Sequence, residues 1–111
     1  MVQAKRKRSN MEASSGNVFA DLGLPDADER QTKVQLAVAI NRELMARDWS
    51  QSQAAEVLGV NQPKVSSLQK YKLEGFSVER LMTFLTALGN DVEISIKRRS
   101  RGVGRISVET A

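Results

Sequence analysis

Hydrophobic and polar positions recur along this chain at two different periods, and the change of period outlines its architecture. Val34, Ala37, Ile40 and Leu44, joined by Val38 and Met45, return every three or four residues, while Arg30, Lys33, Arg42, Glu43 and Arg47 fall between them. Such spacing gives a helix one buried and one solvated face. Pro25 and Asp26 supply a start signal, and Asp26, Asp28 and Glu29 place negative charge at the positive end of the helix dipole. The first helix is therefore expected to begin there and to end near Arg47, with Trp49 folding back onto the core.

Ser50 reads as the N-cap of a second helix, and Gln53, three residues on, completes a Ser-x-x-Gln capping box. This helix should run through Ala54, Ala55 and Leu58 to Gly59, whose missing Cβ permits the left-handed turn that ends it. Asn61 is another good N-cap, and Pro63 falls in a first turn, where a helix has no use for the absent N–H. The spacing predicts a third helix from about Gln62 to Lys72, ending before Gly75. Ser77 caps a fourth, with Val78, Leu81, Met82, Leu85 and Leu88 as its apolar stripe and Gly89 as its stop.

Beyond Asn90-Asp91 the period becomes two. Val92, Ile94 and Ile96 alternate with Glu93, Ser95 and Lys97, which predicts a short strand over 92–96. A lone strand leaves a row of backbone donors and acceptors unpaired, so it needs a partner. Ile106 and Val108 can supply one through a hairpin across Gly102–Gly104, or the same strand of a second chain can. The second chain is the preferred partner.

A chain of 111 residues suits one core, and its low aromatic content, 5%, favours a helical core of Leu, Val, Ile and Ala. Residues 16–96 are read as the domain. Residues 1–15 are polar and aperiodic and are expected to be a disordered basic N-terminal tail, with 97–111 a basic C-terminal tail. Between tail and first helix, Asn17–Pro25 is too short for a stable helix of its own and is expected to dock Phe19 and Leu22 on the core.

Composition then excludes chemistry. With no cysteine and no histidine, thiol nucleophiles, disulfides, thiolate or imidazole metal sites and the usual neutral-pH base are absent. The acidic residues are scattered without a paired arrangement, so no enzyme, cofactor or metal is expected. Leu36–Ile40 is the longest apolar run, far short of a membrane span, and the basic start is followed by no secretion segment. The expected location is the cytoplasm.

Net charge is +4, and its distribution matters more than its total. Lys5, Arg6, Lys7 and Arg8 cluster at one end, and Lys97, Arg98, Arg99, Arg101 and Arg105 at the other. Residues 9–96 carry eight basic and twelve acidic side chains and are net acidic. Basic clusters of this kind bind phosphate backbones by releasing counterions, without reading sequence, or serve only as solvated tails.

Two helices crossing at a tight turn need a small residue at the crossing, a glycine in the turn and an apolar lock on the second helix. Ala55, Gly59 and Val65 supply these in order, Val57 or Leu58 and Leu68 continue the packing, and Val60 seals the turn. The run Gln51-Ser52-Gln53-Ala54-Ala55-Glu56-Val57-Leu58-Gly59-Val60-Asn61-Gln62-Pro63-Lys64-Val65-Ser66 resembles the helix-turn-helix of Cro/C1-type (XRE) regulators, with the motif spanning about 51–69. Extended from Gly16-Asn17-Val18-Phe19 through Leu88-Gly89 to the predicted strand, the chain is similar to the HigA-like antitoxin branch. The resemblance implies a mainly α, phage-repressor-like bundle of about four to five helices with a short C-terminal β-strand. It also implies a homodimer that binds double-stranded operator DNA, often repressing its own operon. In toxin–antitoxin pairs such a protein also neutralises an RNA-cleaving toxin, and a module devoted mainly to that task is the alternative reading.

The candidate DNA-binding residues are Gln51, Asn61, Gln62, Pro63, Lys64, Ser66, Ser67, Lys70 and Lys72. Gln62 can offer a bidentate amide to adenine, and Lys64 a donor to guanine or phosphate. Gln51 stands at a helix N-terminus, where free N–H groups and the dipole can hold a phosphate. Lys70 and Lys72 add charge with no acid between Asn61 and Leu73. The alternative for each is an ordinary solvated face, evenly balanced for Lys70 and Lys72 and the lesser reading for Gln51, Gln62, Lys64, Ser66 and Ser67. Tyr71 either touches DNA backbone or covers the core. Trp49, Met45, Phe76 and Phe84 are read as core, and Gly102-Val103-Gly104 lacks the strand–loop–helix context of a phosphate cradle.

Overall fold

The computed structural model describes residues 27–110. The expectations for 1–15 and for docking of Phe19 and Leu22 lie outside them. Helix α1 (Ala27–Arg47) carries Asp28 and Glu29 in its first turn and Arg47 in its last, matching its dipole at both ends. It buries Leu36, Ala37, Ile40 and Leu44, together with the polar Thr32 and Asn41. Thr32 donates its hydroxyl to the Asp28 carbonyl at 2.7 Å, which lets it lie in that face without an unmet donor.

Two expectations for α1 are corrected. Met45 is 81% exposed rather than core, because it lies round the helix from the stripe centred on Ile40 and Leu44. Arg47 is held against the protein rather than solvated. Its guanidinium pairs with the Glu43 carboxylate, donates to the Leu88 carbonyl at 2.7 Å and lies 5.4 Å from the Trp49 ring centre. The carbonyl it meets is one that the last helix leaves unpaired at its C-terminal end.

Helix α2 (Gln51–Leu58) starts at the predicted capping box, with Gln53 N–H donating to Ser50 Oγ at 3.1 Å and Ser50 N–H to Gln53 Oε1 at 3.0 Å. Gly59 ends it at φ +73°, and Val60 N–H reaches back to the Ala55 carbonyl at 3.0 Å. Helix α3 (Gln62–Gln69) is capped by Asn61 Oδ1, which accepts from Lys64 N–H at 2.9 Å. It stops short of the predicted Lys72. Tyr71 adopts φ +60°, and Lys72 N–H closes the turn on the Ser67 carbonyl at 2.9 Å. The expected signal for such a turn is a glycine, and a tyrosine holds the position at a steric cost. Helix α4 (Val78–Ala87) is capped by Ser77 and followed by Gly89 at φ +91°.

Helices α1 and α4 pack on each other, α2 packs on α3, and α3 leans on α1. Ala37, Ile40, Val65, Leu68, Leu81 and Phe84 are almost wholly enclosed where these pairs meet, and Phe76 meets Phe84 edge to face with ring centres 5.9 Å apart. Leu58 is buried while Val57 is 40% exposed, so Leu58 is the residue that continues the α2–α3 packing.

The predicted strand is also corrected: among the described residues no strand forms. Residues 92–97 and 105–110 run along one side of α1 and α4, around a groove of ≈ 730 Å³ whose floor includes Leu36, Met82 and Leu85. Val92 and Val108 are half-buried against the core, and Val108 N–H donates to Gln35 Oε1 at 3.2 Å. Ile94, Ile96, Val103 and Ile106 stay exposed. A strand is defined by its ladder of backbone bonds, and among the described residues these segments make none.

The Arg47 hydrogen bond is the strongest influence on Glu43 and holds its carboxyl below the ordinary 4.5, with Asn90 adding to the lowering and partial burial opposing it. A lowered folded-state pKa stabilises the fold above the unfolded value, and that contribution is lost as pH falls through the folded one. Glu43→Gln should therefore be less stable than the parent at pH 7 in urea unfolding, with the difference shrinking as pH falls below the ordinary 4.5 toward the lowered folded-state value. A difference that stays the same size on acidification would contradict this coupling.

Candidate nucleic-acid interface

The crossing of α2 and α3 follows from small and branched side chains meeting at close range. Ala54, Ala55 and Leu58 on α2 and Val65 and Leu68 on α3 are all buried. Gly59 reverses the chain between them, and the polar face of α3 is left outward, opening at its N-terminus with exposed Gln62 and Pro63. An α-helix presented this way fits the B-DNA major groove, with its first residues facing base edges.

The candidate residues do not all sit alike. Asn61 is exposed, but its side-chain oxygen is engaged in capping. Ser66 and Ser67 are half-buried. Lys64 folds back: its ammonium donates to the Gly75 carbonyl at 3.1 Å and lies 4.8 Å over the Phe76 ring. Asn61, Pro63, Lys64, Ser67 and Lys72 share one shallow depression with Glu74, Gly75 and Phe76. Lys70 and Lys72 are exposed just beyond α3. Among the described residues the ion pairs are Lys33–Glu29 and Arg47–Glu43, neither on α3.

Gln51 stands at the first turn of α2, and its Nε2 donates to Gln69 Oε1 at 3.0 Å, joining the start of α2 to the end of α3. Sequence reasoning missed Gln69. Its signal was available, since it lies seven residues beyond Gln62, about two helical turns along the same face. The tether of Lys64 to Gly75 and Phe76 had no comparable signal, because it crosses from a helix to a loop.

Two short helices set across a glycine turn, the second with its polar N-terminal end open to solvent, make a helix-turn-helix domain of the nucleic-acid-binding kind. The comparisons agree. The family described as "Helix-turn-helix domain" matches residues 18–97. A solved structure described as "Putative XRE Family Transcriptional Regulator" is 61% identical, superposes with a TM-score of 0.73, and covers 78% of this chain and 100% of its own. The chain belongs to the helix-turn-helix family, in its XRE type. No curated protein matches it. Among the described residues no helix is long and apolar enough to cross a membrane.

Proposed function

We propose that this protein is a sequence-specific, DNA-binding transcriptional regulator that acts as a homodimer, in the simplest case repressing its own operon from the bacterial nucleoid. The observation that carries this reading is the outward, well-capped N-terminal end of α3 with Gln62 exposed, set on a buried α2–α3 crossing. Gln62 reads a base edge, with Pro63, Ser66 and Ser67 beside it. Gln51 and the α2 N-terminus take a backbone phosphate, and Lys70 and Lys72 take others. Lys64 serves from its tether beside Asn61 or, once released from Gly75, as a direct donor. Footprinting on the region upstream of its own gene tests the reading, and the absence of any protected stretch would refute it.

Position and attraction are separately encoded. The domain is net acidic over 9–96, so the basic ends supply much of the sequence-independent affinity. Neutralising Lys5–Arg8, or Arg98, Arg99 and Arg101, should weaken binding to every duplex alike and lower the salt slope by about 0.9 for each phosphate that is no longer neutralised. Titrations across a salt series check this. A change confined to one DNA sequence would count against it.

The dimer is supported by residues 92–110, which expose Ile94, Ile96, Val103 and Ile106 beside backbone that makes no ladder with the other described residues. A second copy offers the same edge, and a two-fold protein on a two-fold site doubles the few bases one α3 can read. A second role, neutralising an RNA-cleaving toxin, is supported by the similarity to HigA-like antitoxins. Co-purification of a small basic partner encoded by the adjacent gene tests it.

A further inference from the structure

We infer that Asn41 is a positioning residue for base reading, fixing the orientation of α3 from the buried face of α1. This rests on the DNA-binding reading above. Asn41 lies between Ile40 and Leu44 on that face and is only 9% exposed. Its Nδ2 donates to the Leu68 carbonyl, in the last turn of α3, at 3.1 Å across 27 residues of chain. Its Oδ1, equally enclosed, has no hydrogen-bond partner among the described residues.

As a device for stability that pairing is weak. A buried carbonyl without a partner costs free energy, and an apolar side chain of similar volume would fill the same space without that penalty. Asparagine offers direction instead. Ile40, Val65 and Leu68 hold α3 by contacts that tolerate sliding and rotation, whereas one hydrogen bond to one carbonyl fixes a point.

Geometry makes that point count. Helix α3 has eight residues, a length of about 12 Å at about 1.5 Å per residue. A tilt of about 10° about its C-terminal end would carry Gln62, at the other end, by about 2 Å, more than the whole range of hydrogen-bond lengths to a base edge. The C-terminal end is also where α3 is least regular, closing through the left-handed Tyr71. Asn41 therefore acts on the DNA only through α3.

The test uses the full chain with Asn41→Leu and, as a second shape, Asn41→Met. Thermal unfolding, amide hydrogen exchange of the free protein, and affinity for its own upstream duplex and for a scrambled duplex are measured together. The expected result is a Tm at or above the parent's and faster exchange at the Leu68–Lys72 amides. Preference for the upstream duplex should fall at least about tenfold, with affinity for scrambled DNA unchanged. Unchanged preference in both variants overturns the inference. So does a lower Tm with equal losses on both duplexes, which would assign Asn41 to fold stability alone. Should the parent itself show no preference, the DNA-binding reading fails, and unchanged exchange at Leu68–Lys72 would then separately overturn the anchoring of α3.

Discussion

Gln62→Ala should weaken binding to the cognate duplex by about 1–3 kcal/mol, roughly a fivefold to hundredfold rise in Kd, while leaving the fold and the affinity for unrelated DNA unchanged. The side chain is exposed at the first position of α3, so truncating it leaves the core intact. The cap that starts the helix belongs to Asn61 and persists. What disappears, on the proposed reading, is an amide able to bond a base edge in bidentate fashion, and the effect should be relaxed discrimination at one position of the site. Titration against duplexes substituted one base pair at a time measures it. Equal weakening at every position would make Gln62 a backbone contact, and no weakening at all would remove it from the interface.

Ile94→Lys combined with Ile96→Lys should reduce affinity for a two-half-site duplex by about 100-fold or more, about 2.7 kcal/mol, by dividing the dimer. In a lone chain these side chains are 75% and 93% exposed, so the substitutions should cost the monomer's own fold within about 0.5 kcal/mol. A second copy laid on this edge would bury both residues, and two lysines facing their symmetry mates would then repel across an apolar strip. Sedimentation should show the parent at twice the 12.3 kDa chain mass and the variant at that mass. A parent that sediments as a single chain would refute the dimer, and a variant that remains dimeric would place the interface elsewhere.

Lys64 shows how one residue type can carry two meanings. At the start of a helix that faces DNA, a lysine reads as a base or phosphate donor. Here its ammonium rests on the Gly75 carbonyl and the Phe76 ring, so in the unbound protein it ties the loop after α3 to the first turn of α3. Its stem and charge are thus already engaged within the fold, and the proposed DNA contact would have to compete with that tether. Arg47 is the same lesson in α1. Its position on the polar side predicts solvent, yet the carbonyl end of α4 and the Trp49 ring draw it in.

The starts of α2, α3 and α4 were legible because N-caps are local. Ser50, Asn61 and Ser77 each accept from a backbone N–H three residues on, a reach that sequence spacing encodes directly. Gly59 was legible for the same reason. The end of α3 was not, because nothing in a tyrosine announces a left-handed backbone, and the turn is held by its surroundings. Met45 was misplaced because a repeat of three and four has edges that periodicity alone does not resolve. Asn41 gave no sign of its bond to α3, since its partner lies 27 residues away, and Gln69, although its place on the Gln62 face was legible, gave none of its bond to Gln51, 18 residues earlier.

By itself, then, the sequence determined the helices, their caps, the glycine turn and the outward polar start of α3, all through interactions spanning a few residues. It also determined the charge map, acidic in the middle and basic at both ends. Only the tertiary structure decided which polar side chains are already engaged, that Asn41 is tied to α3 and Gln51 to Gln69, and that 92–97 and 105–110 lie along α1 and α4 with no strand ladder among the described residues. Those outcomes depend on groups brought together from distant positions. The alternating pattern of Val92, Ile94 and Ile96 states that this segment can pair, while a strand also needs a distant backbone partner, which local spacing does not supply and which none of the described residues provides.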